Sequence, residues 1–188
     1  TTVESTLRFV NAKPTWGYSY YQIGDRGPAG GFVFYVTDGG LHGLEAAPVD
    51  QSEGTGWGCY EDDVSGAYGT AIGTGAQNTD AIVLFECDDG SPAALAATGY
   101  ELSGYDDWFL PSKDELDLLW TNLADSDGNG SNSGVSDLDN LGGFASYYYW
   151  SSSQVSASNA WAQEFVGGYQ GDYYGKILPL RVRAVRAF

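Results

Sequence analysis

The sequence predicts an α+β domain on three observations. Two main stretches carry helix signals, around residues 78–85 and residues 112–123. Short apolar runs recur elsewhere, each bounded by Gly, Asp or Ser, which is how short strands are punctuated. Twenty-seven glycines, 14 tyrosines and 6 tryptophans favour a loop-rich, aromatic-packed interior over a helical bundle. Two main helices among short, mostly antiparallel strands and long ordered loops define the α+β class. A chain of 188 residues suffices for one such domain with a real core.

Residues 1–22 are expected to be a leading segment or an oligomer contact, with the domain itself spanning residues 23–188. Residues 24–31 (GDRGPAGG) form a turn. Residues 32–36 make an apolar strand closed by Asp38-Gly39-Gly40, with residues 44–49 as its hairpin partner. Residues 50–77 mix Gly, Thr, Asp and Trp without periodicity and are read as ordered loop. The apolar run 81–85 suits a short helix capped by Asn78 or Thr79, and residues 92–97 add a further turn or two. The clearest local signal is Ser112 followed three residues later by Glu115. This is a capping box, with Leu116, Leu118, Leu119 and Trp120 supplying the helix's apolar stripe. Residues 125–140 read as a polar surface loop with no core to bury. Trp150, Trp161 and Phe165 then punctuate short strands and are expected in the core. Residues 181–188 form one final strand.

Eight basic residues against 25 acidic ones give a net charge of −17. A surface so acidic excludes nucleic acid and anionic membrane as partners, since both need positive charge. No stretch has the apolar length of a membrane span, so membrane insertion is not expected. Lys176, Arg181, Arg183 and Arg186 nevertheless place half of all basic residues within the last thirteen positions. These arginines either salt-bridge the abundant carboxylates, the reading we take, or join Lys176 as bidentate donors to sulfate or carboxylate ligands. Cys59 and Cys87 are the only cysteines, and their spacing fits no zinc pattern. We read them as one disulfide, implying an extracellular or cell-surface location. Two buried thiols and a reactive pair are the alternatives.

Residues 169–174 concentrate three tyrosines among glycines, between a tryptophan-rich frame and the final strand. Tyrosine offers large contact area with few torsions to freeze, and this composition marks binding surfaces of the antibody kind. Tyr169, Tyr173 and Tyr174 are read as exposed contacts, with Asp172 beside them.

Several segments resemble a known family in order along the chain. They are residues 24–48 (GDRGPAGGFVFYVTDGGLHGLEAAP), 57–59 (WGC), 69–79 (GTAIGTGAQNT), 104–116 (GYDDWFLPSKDEL), 149–153 (YWSSS) and 181–188 (RVRAVRAF). Together they resemble the C-terminal domain of the Legionella collagen-like protein and its bacterial relatives. That family is a branch of the C-type-lectin-like fold, also seen in the formylglycine-generating enzyme and in variable proteins of diversity-generating retroelements. The resemblance implies that the last strand lies beside the first, residues 181–188 against 32–36. It also implies a surface ligand-binding module, either a fixed trimeric adhesin for sulfated glycosaminoglycans or a diversified receptor. The partner would be a protein or glycan on a host or neighbouring cell, and a homo-trimer is possible. In the diversified reading a fixed frame is formed by Trp150, Ser151, Ser152, Ser153, Ala160, Trp161, Gln163, Phe165, Gly168, Gln170 and Lys176. It brackets the varying positions Val166, Gly167, Tyr169, Gly171, Asp172, Tyr173, Tyr174, Ile177 and Leu178. With Lys176, these nine positions are the expected ligand site.

Catalytic readings lack the residues they need, and no enzyme activity, catalytic residue or cofactor is expected; the alternative from a different class is a divergent enzyme on the formylglycine-generating fold. The formylglycine-generating reaction uses a late cysteine pair, and no cysteine follows Cys87. Iron chemistry on this fold needs several histidines, and only His42 exists. His42 is read as a turn residue. Ser151, Ser152 and Ser153 have no GxSxG setting. Asp106 and Asp107 have the types for acid–base work but sit in the fold motif, so a structural role is expected. Asp125, Asp127, Asn129 and Ser131 space their oxygens as a calcium loop does, yet the twelfth position is Ser136 rather than Glu. A solvated loop is the reading taken, and no metal is expected there.

Overall fold

The computed structural model describes residues 20–88, 90–125, 127–132 and 140–188. Eight strands and three α-helices occur among them, in the order β1 (Phe32–Thr37), β2 (His42–Ala46), β3 (Ser52–Thr55), α1 (Gly75–Leu84), α2 (Pro92–Thr98), α3 (Lys113–Leu119), β4 (Tyr148–Gln154), β5 (Asn159–Glu164), β6 (Gln170–Gly175), β7 (Leu180–Val182) and β8 (Val185–Ala187). A π-helical turn, Trp120–Ala124, continues α3. The class is α+β, as composition and punctuation imply. Among the described residues no helix is long and apolar enough to cross a membrane.

The strands form two sheets, one of order β1-β2-β8 and one of order β3-β7-β4-β5-β6. The first hairpin forms where expected, with Phe32 opposite Ala46 and Thr37 opposite His42. The chain end departs from the sequence reading twice. Residues 181–188 are not one strand: β7 belongs to the five-stranded sheet and β8 to the three-stranded one. Nor does the last strand lie beside the first, because β8 pairs with β2, Leu44 opposite Ala187. The free edge of β1 is already occupied. Gly24 N–H donates to Val33 and Val33 N–H to Asp25, so the turn before β1 satisfies that edge. The leading segment falls outside the described residues except for Tyr20–Gln22. There Tyr21 donates to the Gly40 carbonyl and packs edge-on to Phe188, 5.0 Å between ring centres.

Helix boundaries show where local signals were incomplete. α1 begins at Gly75, well before the apolar run, and its N-cap is Thr74 rather than Asn78 or Thr79. Both of the latter are buried inside the helix and serve tertiary bonds. Asn78 bonds both backbone groups of Gly69, and the Thr79 hydroxyl bridges the Gly75 and Leu110 carbonyls. The α3 capping box is present in full. Glu115 accepts from the backbone of Ser112 at 2.7 Å and from that of Gly73 at 2.7 Å, so it fastens a distant loop as well as its own helix. Burial raises its carboxyl above the usual range while these donors pull it down. β3, inside the segment read as loop, pairs with β7 through Ser52 opposite Val182.

Two apolar cores result. One gathers Trp57, Trp108 and Trp150 with Ile82 and the alanines of α2, between the helices and the larger sheet. The other joins Phe34, Phe109, Phe144, Tyr149 and Phe165 with Leu116, Leu119 and Leu123. Each of the three buried tryptophans donates its indole N–H to a carbonyl, of Ser151, Tyr105 and Thr55 respectively, so burial leaves none of these groups unpaired. Cys59 and Cys87 are disulfide-bonded, with Cα atoms 5.0 Å apart, and join the loop after β3 to the end of α1.

Candidate ligand surface

Ser151, Ser152 and Ser153 are fully buried on β4, which bulges between Trp150 and Gln154 relative to β5. The bulge frees their polar groups for neighbours. Ser151 Oγ donates to Trp161 O at 2.9 Å, Ser152 N–H donates to Pro111, and Ser153 Oγ donates to Gly69 at 2.6 Å. Ser153 Oγ also accepts the first N–H of α3, from Lys113, at 2.9 Å. Ser152 and Ser153 thus clamp α1 and α3 to the sheet, while Ser151 ties β4 to β5, and all three are buried.

On this clamped frame stands β6, an outer strand of the larger sheet. The β5–β6 turn is fixed from beneath. Gly168 has φ +75°, and a side chain there would press into the Trp120 indole, so glycine is required on both counts. Gln163 donates to Asp117 and to the Gly168 carbonyl, while Gln170 donates to Lys113 O and to Gln163. Above the turn and along β6, Tyr169, Tyr173 and Ile177 are more than half exposed, at 57%, 59% and 65%. Val166, Gly167, Asp172 and Leu178 are exposed beside them. A hydrogen bond with Tyr173 raises the Tyr169 phenol above its ordinary range.

Three of the expected contacts lie elsewhere. Tyr174 is only 9% exposed: its ring packs 5.2 Å from Tyr148 and 4.7 Å from Tyr173, filling the sheet face rather than the surface. Burial raises its phenol strongly. Gly171 is buried, with the Tyr173 and Tyr174 rings occupying the space that a side chain would need. Lys176 is completely buried. Its ammonium donates to the carbonyls of Cys59 and Asp62 and to Gln154 Oε1, at 3.1, 2.9 and 2.7 Å, and lies 4.5 Å from the Trp57 ring centre. It is a bolt through the disulfide loop, and no ligand reaches it.

The arginines are also spent inside. Arg186 bonds both oxygens of Asp107 at 2.6 and 2.8 Å and reaches the buried Glu45 at 2.9 Å. The guanidinium holds the Asp107 carboxyl below its ordinary range. Arg183, 1% exposed, bonds Asp50 and the carbonyls of Ala47 and Gly142. Asp107 therefore has the structural role expected, and the basic cluster with Lys176 does not assemble into an anion face.

In the polar loop, Asp125 is buried and accepts N–H groups from Gly130 and Ser131, and Asn132 and Asn140 are buried too. The loop therefore does bury polar groups, which its composition did not suggest. Asp127 accepts from both nitrogens of Asn129. Position 136 lies outside the described residues. Among those described, no group of three or more His, Cys, Asp or Glu is placed to hold a metal ion. His42 is exposed in a groove of about 190 Å³ lined by Tyr35, Leu44, Ile72 and Phe188.

No protein-family model matches the chain. No curated protein matches it either. A solved structure, a fimbrial protein from Bacteroides ovatus ATCC 8483, superposes with a TM-score of 0.48 at 16% identity. The superposition covers 77% of this chain and 35% of that one, so this chain spans about a third of the protein it is compared with.

Proposed function

We propose that this chain is an extracellular ligand-binding module of C-type-lectin-like fold. In this reading it is related to the C-terminal domain of the Legionella collagen-like protein and acts as a diversified receptor or surface adhesin without enzymatic activity. The observation that carries it is the contrast around β6: Tyr173 on the strand, with Tyr169 and Ile177 in the turns that flank it, stands in solvent above a base bolted by Gly168, Gln163 and Gln170. A rigid base with large, half-exposed aromatics keeps the entropy cost of binding low. Contacts are assigned to Val166, Gly167, Tyr169, Asp172, Tyr173, Ile177 and Leu178, which shortens the expected site by Gly171, Tyr174 and Lys176. The disulfide supports an oxidising location. The adhesin for sulfated glycosaminoglycans is the weaker form, since Lys176, Arg183 and Arg186 are committed to internal partners.

The test is a library randomising Tyr169, Asp172, Tyr173 and Ile177 together, sorted for folded, displayed protein, with a matched library at Gly168, Gly171, Tyr174 and Lys176. Broad tolerance in the first and strict retention in the second is expected. Equal intolerance in both would make the tyrosines structural and end the reading. Sequencing the coding region for residues 147–188 across isolates separates its two forms. Changes confined to the seven exposed positions mark a diversified receptor, and an invariant segment marks a fixed adhesin.

A further inference from the structure

Three described cations repeat one arrangement, with a carboxylate on one side and an aromatic ring on another. Arg186 bonds Asp107 at 2.6 Å, and its guanidinium carbon lies 4.2 Å from the Tyr105 ring centre. Arg183 bonds Asp50 at 2.8 Å and lies 4.2 Å from the ring centre of Phe144. Lys113 reaches Asp114 at 3.0 Å and stands 5.2 Å from the ring centre of Trp161. In each case the ring face adds its attraction for the cation to that of the carboxylate.

At β6 the same partners stand together without a cation. From Ala160 to Ala162 β5 advances two residues, while β6 advances three between their partners Tyr174 and Gly171, so β6 carries a bulge. The extra residue breaks the strand's alternation, and Asp172 and Tyr173 are both exposed, one directly after the other. Tyr169 stands beside them: its hydrogen bond with Tyr173, and after it the charge of Asp172, raise its phenol. Tyr173 gives one face to Tyr174, stacked 4.7 Å away, and the ring remains largely in solvent. Asp172 closes no ion pair among the described residues. Its surroundings are also acidic. Glu164 lies against Gly167, and Asp117 accepts from Gln163 beneath the turn. The ammonium of Lys113, whose carbonyl accepts from Gln170, is bonded to Asp114.

We propose that the β6 surface receives an arginine side chain from a partner protein, its guanidinium seated between Asp172 and the rings of Tyr169 and Tyr173. The assignment rests on the ligand-surface reading above and names the chemistry of the partner. Arginine suits the place better than lysine, because a flat guanidinium both forks a carboxylate and stacks on a ring. The described arginines of this chain are bonded internally, so the guanidinium comes from another protein. Sulfated and carboxylated glycans meet like charge on this face.

The probes are the peptide acetyl-Gly-Arg-Gly-Arg-Gly-amide, the same peptide with citrulline, the neutral isostere of arginine, at both places, and a heparin hexasaccharide. Each is titrated against the isotope-labelled whole chain by NMR at about 0.15 M salt, where a Debye length of ~8 Å screens remote charge. The arginine peptide is expected to move the amides of residues 169–173 saturably. Citrulline should bind there at least about fivefold more weakly, the worth of an exposed charge pair and a ring contact together. Asp172→Asn should erase the difference between arginine and citrulline, and Asp172→Glu should keep it. Tyr173→Leu should weaken the arginine peptide severalfold. Asp80→Asn, which removes an exposed carboxylate on α1, should change neither peptide. A loss there equal to that of Asp172→Asn would make the effect one of net charge and overturn the proposal. Equal affinity for arginine and citrulline would also overturn it, as would no shift of these amides at about 20 mM peptide, far above a ~1 mM dissociation constant. Heparin moving the same amides while the arginine peptide does not would overturn it in favour of a glycan, with the β6 surface still standing. Equal intolerance in the two display libraries would remove that surface and this proposal with it.

Discussion

The β6 surface and the β7–β8 segment are neighbours in sequence and opposites in physics. Between residues 169 and 178 Tyr169, Tyr173 and Ile177 stay more than half exposed, while Tyr174 and Lys176 turn inward. Between residues 180 and 188 the chain turns its charges inward, with Arg183 and Arg186 nearly inaccessible and matched to Asp50, Glu45 and Asp107. In this stretch of the chain the usual expectation is reversed: tyrosines form the exterior and cations form the fastening. The reversal follows from composition. With 25 acidic residues and 8 basic ones, each cation is worth most where it neutralises buried carboxylates, while a surface rich in tyrosine keeps solubility through its acidic surroundings.

The largest expected break in the contrast is Arg183→Ala. It leaves Asp50 sharing one guanidinium and orphans the Ala47 and Gly142 carbonyls. About 3–5 kcal/mol of stability should be lost, measured by urea unfolding. Removing the disulfide with Cys59→Ser and Cys87→Ser should cost about 3 kcal/mol, because its 28-residue separation restrains the unfolded chain. The loss should appear as an earlier urea midpoint, and dithiothreitol should reproduce it in the native sequence. Ser112→Ala removes the capping hydroxyl and its bond to Ala71, and should cost ~1–2 kcal/mol in the same assay.

Asp107 sharpens the comparison through pH. Its carboxyl is held low in the folded state by Arg186, so the folded protein binds fewer protons there than the unfolded chain. Stability from this pair is complete above the unfolded value, ~3.9, and is lost as pH falls through the lower folded value. Asp107→Asn should flatten that part of the acid unfolding curve. The smallest effect is expected at Tyr173→Ala, within about 0.5 kcal/mol of the native sequence, since its ring is 59% exposed. A thermal melt shifted by many degrees would place that ring in the structural set with Tyr174.

Local signals were readable and long-range ones were not. The capping box at Ser112 and Glu115, the hairpin after Phe32 and the cysteine pair each rest on a few adjacent residues or on an elimination, and all three are present. The full extent of α1 was hidden because its buried face uses Gly75, Asn78 and Thr79, polar or small residues that carry no hydrophobic periodicity. β3 was missed because Ser52–Thr55 is half exposed and holds its place by pairing with β7. Lys176 and Tyr174 show the same limit within the candidate site. Their types suggest surface, and only the disulfide loop and the Tyr148 ring, distant in sequence, explain why they are inside. Tyr169, Tyr173 and Asp172 needed no distant partner to be read as exposed, and they are.

The division of the chain's end between two sheets also bears on synthesis. Every pairing of β2 with β8, and of β3 and β4 with β7, waits for residues 180–188 to leave the ribosomal tunnel. Until then β3 has no described neighbour in its sheet, and Asp50, Glu45 and Asp107 lack their arginine partners. At elongation rates of ~5–20 residues per second, the nascent domain spends several seconds as an acidic, unclosed chain whose own charge discourages aggregation. Closure by residues 180–188 rests on contacts between residues far apart in sequence, and those contacts form only once that segment has emerged.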